Sequence, residues 1–112
     1  MSWRCLVLSA EEKLYVILDA GLSPEQKAVQ AVHGATQYCL ENPGTPWGNG
    51  IVVLLQVEDL EAFWQARVRD DLSLGPRALF REPDLEDKLT AVVGLGWKRL
   101  TKRLRMMSMV PG

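Results

Sequence analysis

The amino-acid sequence predicts an α/β domain: a four-stranded mixed sheet covered by helices, in the order β-α-β-α-β-β-α. Three observations carry this. The β-rich run "KLYVILDA" leads through a turn into a capped helical stretch, and a second apolar run, "IVVLLQV", follows. Two strands joined through a helix imply a crossover between parallel neighbours. The length of 112 residues, 47% apolar and 24% charged, suffices for one core and is too short for two. The domain is expected over 14–112, with 1–13 as an N-terminal arm or extra edge strand.

The elements follow in order. After the first strand, "AGLSP" reads as a turn, Ser23 as a helix N-cap and Pro24 as the first helical residue. Gln26 stands three places after the cap, as in a capping box. The helix runs to about Leu40, and "ENPGTPWGNG" has loop composition. "IVVLLQV" is apolar on both faces, which predicts a central, fully buried strand. In "EDLEAFWQARVRDD", Leu60, Phe63, Trp64 and Val68 recur at helical spacing. "RALF" is a short third strand, "REPDLEDK" an acidic loop and "LTAVVGLG" a fourth strand. The spacing of Trp97, Leu100, Leu104 and Met107 predicts a last helix.

Several function classes are excluded by what the chain lacks. No run approaches the roughly 20 apolar residues of a membrane span. "WRCLVLSA" lacks the length and ending of a signal peptide, so a cytoplasmic location is expected. Cys5 and Cys39 form neither a disulfide framework nor a Cys/His cluster. No P-loop, dinucleotide fingerprint, nucleophile elbow or zinc-protease motif is present, and no metal or organic cofactor is expected. From Trp97 onward the chain has five bases (Lys98, Arg99, Lys102, Arg103, Arg105) and no acids. With a net charge of −1, the remainder carries −6. Such a segment is a phosphate-contacting patch or the solvated face of the last helix.

Two polar clusters stand out. Gln26, Gln30, His33 and Gln37 recur at i, i+4, i+7 and i+11, one stripe of the first helix. Beside it, Ala28, Val29, Ala31, Val32 and Ala35 make a small-residue face suited to lying on a sheet. The stripe offers neutral donors and acceptors, either to brace loops or to hold a ligand. The second cluster, "FREPDLEDKLT", puts Glu82 directly after a strand, where open α/β sheets place functional groups.

Together, "LYVILDAGLSPEQKAVQAVHGA", "IVVLLQV" and "FREPDL…LTAVVGLG" resemble the type II peptidyl-tRNA hydrolases and their smaller bacterial and phage relatives. Gln30 and His33 fall on the family's Gln and His, Gly34 on an Ala, and Asp19 on an Asp ending the first strand. Glu82 falls where an Asp is expected, and Thr90 on a threonine opening the fourth strand. The family lysine falls on Gln26, with Lys27 one position, or about 100° of helix, away.

The resemblance implies an esterase that cleaves the bond between a peptide and tRNA. It also leaves room for a catalytically silent member that binds tRNA or a protein partner through the same cleft. It implies Lys27, Gln30, His33, Glu82, Asp84 and Thr90 as catalytic residues, with Glu82 or Asp84 orienting water and Lys27 supplying charge. Gln26, Asp19, Arg81, Lys98 and Lys102 would bind substrate. A homodimer is a further expectation, with Trp3, Trp47 and the run Met106 to Met109 as contact surface.

Overall fold

A computed structural model describes residues 12–109. The expected N-terminal arm or edge strand lies outside the described residues except for Glu12 and Lys13. Strand β1 (Leu14–Asp19) leads through a turn to helix α1 (Pro24–Glu41), then to β2 (Val52–Val57). A short helix α2 (Leu60–Phe63) continues as a π-turn over Trp64–Val68. Strands β3 (Arg77–Glu82) and β4 (Lys88–Leu95) follow, and β5 (Arg105–Met106) ends the order.

The sheet is five-stranded and mixed, in the order β3-β4-β1-β2-β5. β1 and β2 are parallel, from Leu14 opposite Val52 to Asp19 opposite Val57, as the crossover through α1 requires. All other pairs are antiparallel. The ends of β1 and β2, the start of α1, the end of β3 and the start of β4 therefore meet at one end of the sheet. That end is where an open α/β sheet offers a crevice.

Two clusters make the core, one on each side of the sheet. On one side α1 packs Ala31 and Tyr38 onto Leu14, Val16, Leu18, Ala91 and Val93. On the other, Leu60, Val68 and Trp97 cover Tyr15, Ile17, Leu55 and Val92. The central strand is β1, buried along its whole length, whereas β2 is mostly half-buried. The prediction that "IVVLLQV" is fully buried is thus corrected: β2 is second from the edge, with only the two residues of β5 beyond it.

The predicted last helix does not form, which corrects both the strand count and the final element. Trp97, Leu100 and Leu104 do face the core, so the apolar spacing was informative about burial. A helix there would stack Lys98 on Lys102 and Arg99 on Arg103, like-charge pairs that destabilise it. The Thr101 N–H and hydroxyl both donate to the Trp97 carbonyl, at 3.1 and 2.7 Å, so the run opens with a single helical turn. Hydroxyl back-bonding of this kind slightly destabilises a helix. After this run of turns, Arg105 and Met106 pair with the open edge of β2, and the Met107 N–H donates to the Leu54 carbonyl at 2.9 Å. The "GLG" run acquires a structural reason as well. The Trp97 indole lies over Gly94, where a Cβ would come within 1.9 Å of the ring, and Gly96 turns the chain at φ 73°.

α1 begins as expected: Ser23 accepts from the Gln26 N–H, and Pro24 opens the helix. The buried face is a different one. Lys27, Gln30, Ala31, Gly34 and Tyr38 point inward, while Ala28, Val29 and Val32 are exposed, Val32 by 65%. Gly34 decides this. A Cβ there would sit 2.8 Å from the Ala91 Cβ and 3.0 Å from Val93 Cγ2, so the helix touches the sheet at its glycine. The residues flanking that contact face inward, including a lysine and a glutamine.

Candidate functional site

Glu82 ends β3, and the turn Pro83–Leu85 holds its carboxylate back toward α1. Gln30, with 0% exposure, donates from Nε2 to Glu82 Oε2 over 2.6 Å and to Gln26 Oε1 over 3.1 Å. Its Oε1 accepts from the buried Thr90 hydroxyl at 2.8 Å. Both amide ends are thus satisfied, as a buried amide requires. The backbone N–H of Asp84 donates to Glu82 Oε1 at 3.3 Å. His33 approaches from α1, its Nδ1 3.8 Å from Glu82 Oε2. The His33 ring meets Phe80 edge-on, with centroids 4.7 Å apart. Its side chain is 44% exposed, against 12% for Glu82.

These contacts set the charge of the carboxylate. The Gln30 hydrogen bond, then the Asp84 N–H, hold the Glu82 pKa below its ordinary value; partial desolvation opposes them and nearby His33 adds a smaller lowering. Glu82 is anionic at neutral pH. Nδ1 of His33 lies 3.8 Å from the carboxylate, longer than a direct hydrogen bond. A histidine beside a carboxylate can serve as an oriented base where the contact tightens around a substrate.

Lys27 belongs to a different place. It is 3% exposed, and its ammonium donates to Gln56 Oε1 at 3.0 Å and to the Ser108 carbonyl at 2.8 Å. Lys27 and Glu82 share no hydrogen-bond partner among the described residues. The first turn of α1 is regular, the Lys27 N–H bonding to the Ser23 carbonyl at 2.9 Å. No local unwinding brings the ammonium toward Glu82. Lys27 instead lines an open cleft of about 580 Å³ with Gln56, Glu58, Arg105 and Ser108, beside the Glu82 network at the same end of the sheet. Its acceptors there are neutral, and an ammonium has three protons, so one proton is left beyond these two bonds.

Other expected site residues are occupied elsewhere. Asp19 is buried; it accepts from the Gly21 N–H at 2.8 Å and the Leu60 N–H at 3.3 Å, and lies 3.6 Å from the Lys88 ammonium. It joins the end of β1 to the start of α2. Arg81 faces the other side of the sheet, where it bonds to Glu61 at 3.1 Å and lies over Trp64. The Asp84 side chain is exposed, and its backbone alone serves Glu82. Gln26 is half-buried and accepts from Gln30. Lys98 and Lys102 follow the far end of β4 on the α2 side, away from Glu82. Of the eleven, Gln26, Gln30, His33, Glu82 and Thr90 come together, and Asp84 joins through its N–H.

Sequence reasoning missed Phe80, Gln56 and Ser108, and placed Arg105 only in the basic C-terminal segment. Gln56 had a visible signal as the only polar residue inside "IVVLLQV". The other three acquire meaning only when distant elements meet. In comparisons with known proteins, no family model and no curated protein matches the chain.

Proposed function

We propose that the chain is a peptidyl-tRNA hydrolase-like esterase in which His33 is the general base and Glu82 its orienting partner. The observation that carries this reading is the pairing of an exposed imidazole with a carboxylate that a fully buried amide holds in place. Support also comes from the resemblance to the type II peptidyl-tRNA hydrolases at Gln30, His33, Glu82 and Thr90.

In this reading His33 Nε2 takes a proton from water, and the hydroxide oxygen forms a bond to the ester carbonyl carbon. The tetrahedral intermediate collapses, the bond to the ribose oxygen breaks, and the imidazolium returns its proton to that oxygen. Glu82 stabilises the imidazolium as it forms. Gln30 and Thr90, whose polar atoms are spent on each other and on Glu82, are positioning residues. Six positions of α1 separate Lys27 from His33, about 9 Å of helix rise. Lys27 and Arg105 therefore serve as cations for a substrate phosphate in the adjoining cleft, a binding role instead of a chemical one.

One observation favours a second reading, a catalytically silent member that binds RNA or a protein partner. The Lys27 ammonium is buried against Gln56 and Ser108, so the one cation of α1 that could have joined Glu82 is engaged elsewhere. Release of amino acid from N-acetyl-aminoacyl-tRNA separates the two. The esterase reading predicts turnover by the wild type and its loss in Glu82→Gln; tRNA binding without turnover selects the silent reading.

A further inference from the structure

The run of turns that replaces the last helix creates a surface with no counterpart in the Glu82 network. Arg99, Lys102 and Arg103 project from it beside Arg67 of the π-turn, and with Leu100 and Leu104 they line a depression of about 210 Å³. No acidic residue lines it among the described residues. Three cations elsewhere have carboxylate partners: Arg69 pairs with Asp70, Arg81 with Glu61 and Lys88 with Asp19. Among the described residues Arg67, Arg99, Lys102 and Arg103 have none, although the chain carries 14 acids. Four like charges gathered without counter-charge repel one another, and a bound polyanion removes that cost.

The depression is the middle of a longer track. Arg99 and Lys102 also line a neighbouring hollow with Gly96, Lys98 and Glu12, and Arg103 lines another with Arg105 and Glu58. The track thus carries one carboxylate toward each end and none in its central depression. Gly96 follows the end of β4, while Arg105 pairs opposite Gln56 near the other end of the sheet. Through the registers Arg105 is level with Ala91 of β4, five residues before Gly96, so at about 3.3 Å per residue the track runs on the order of 17 Å along the strands. Its half-buried leucines, Leu100 and Leu104, pack into the core. A membrane-surface site pairs basic residues with apolar groups for insertion, and the lining of the central depression supplies none outside the core.

We infer that Arg67, Arg99, Lys102 and Arg103 form a sequence-independent contact for the sugar-phosphate backbone of RNA, on the side of the sheet opposite His33 and Glu82. This goes beyond the esterase reading and holds whether or not the protein turns over an ester. Arg67 has no part in the basic C-terminal segment legible in the sequence. The π-turn brings it there: the Arg69 N–H reaches the Trp64 carbonyl at 2.8 Å, five residues back, as Val68 turns inward.

The test is fluorescence anisotropy of a labelled, deacylated RNA hairpin titrated with the full chain from 50 to 200 mM salt. About four phosphate contacts predict a slope of log K against log salt of roughly −3 to −4. Replacing all four residues by Gln should weaken binding at least about tenfold at low salt and bring the slope close to zero. Arg69→Gln, which removes a paired arginine, should bind as the wild type does. Should the fourfold variant melt early, Arg99→Gln/Arg103→Gln serves instead, with about half the slope lost. No RNA binding by the wild type, equal slopes in wild type and variant, or binding to phosphatidylserine vesicles but not RNA overturns the inference. Displacement of the hairpin by stoichiometric inorganic phosphate, with a slope near −1, overturns it too. Because the hairpin carries no ester, an inactive protein that still binds it leaves the inference intact.

Discussion

The Gln30 amide donates to Glu82 Oε2 over 2.6 Å and joins the buried face of α1 to the end of β3. Its other end takes the Thr90 proton at 2.8 Å. One side chain thus couples a helix and two strands, and the orientation of the candidate base depends on it.

Breaking that coupling in a core site is costly. Gln30→Leu keeps similar bulk but removes the acceptor of the Thr90 hydroxyl and the donor to Glu82. A loss of about 1–3 kcal/mol is expected, the usual cost of a buried polar group left without its partner. Thr90→Val in the Gln30→Leu background should cost less than Thr90→Val alone. Urea denaturation of the two single variants and the double variant reads this coupling; strictly additive effects would mean the two side chains act independently.

Gly34 marks the closest approach of α1 to the sheet. In Gly34→Ala the new methyl would lie 2.8 Å from the Ala91 Cβ and 3.0 Å from Val93 Cγ2, on a strand with no room to retreat. Helix propensity returns about 1 kcal/mol, against overpacking of about 1–3 kcal/mol. A lower melting temperature is expected by calorimetry. An unchanged or raised value would show that α1 can shift outward at little cost.

Acid stability should depend on Glu82. Its folded pKa lies below the ordinary 4.5, chiefly through the Gln30 hydrogen bond. The ionised carboxylate therefore favours the folded state; that contribution is complete above the ordinary value and is lost as pH falls through the lower folded one. Melting temperatures of wild type and Glu82→Gln should differ at pH 6 and converge as the pH falls through the lowered folded pKa. A constant gap across that range would rule out the linkage.

Lys27→Met separates binding from chemistry. The ammonium is buried against two neutral oxygens, so an apolar side chain of similar length also saves its desolvation, and folding should change by no more than about 1 kcal/mol. In the esterase reading the variant raises KM through lost phosphate contact and leaves kcat nearly unchanged. A large fall in kcat with KM unaltered would instead put Lys27 at the reacting carbonyl.

Much of the fold was legible from local signals. Ser23 and Pro24 mark the start of α1, and the paired apolar runs give the parallel strands β1 and β2. Which face of α1 is buried was not legible. Val29 and Val32 look like core residues, yet a single close contact at Gly34 turns Lys27 and Gln30 inward instead. The end of the chain misled for a related reason. Helical spacing correctly marked Trp97, Leu100 and Leu104 as inward-facing, but the open edge of β2 recruited the residues after them, and propensity cannot see an unpaired edge. At the candidate site, the Gln30 and His33 spacing on one helix was visible. Their meeting with Glu82, 52 positions on from Gln30, depends on β3 and β4 folding back beside α1.

The central claim is that His33, held by Glu82, is the general base of an ester hydrolysis. Steady-state kinetics of wild type and His33→Gln on N-acetyl-aminoacyl-tRNA test it most directly, with melting temperatures measured in parallel. Loss of a positioned base is expected to lower kcat by about 10²–10⁴-fold while the exposed site keeps its fold. Equal turnover by His33→Gln, or no turnover by the wild type above buffer, would contradict the account.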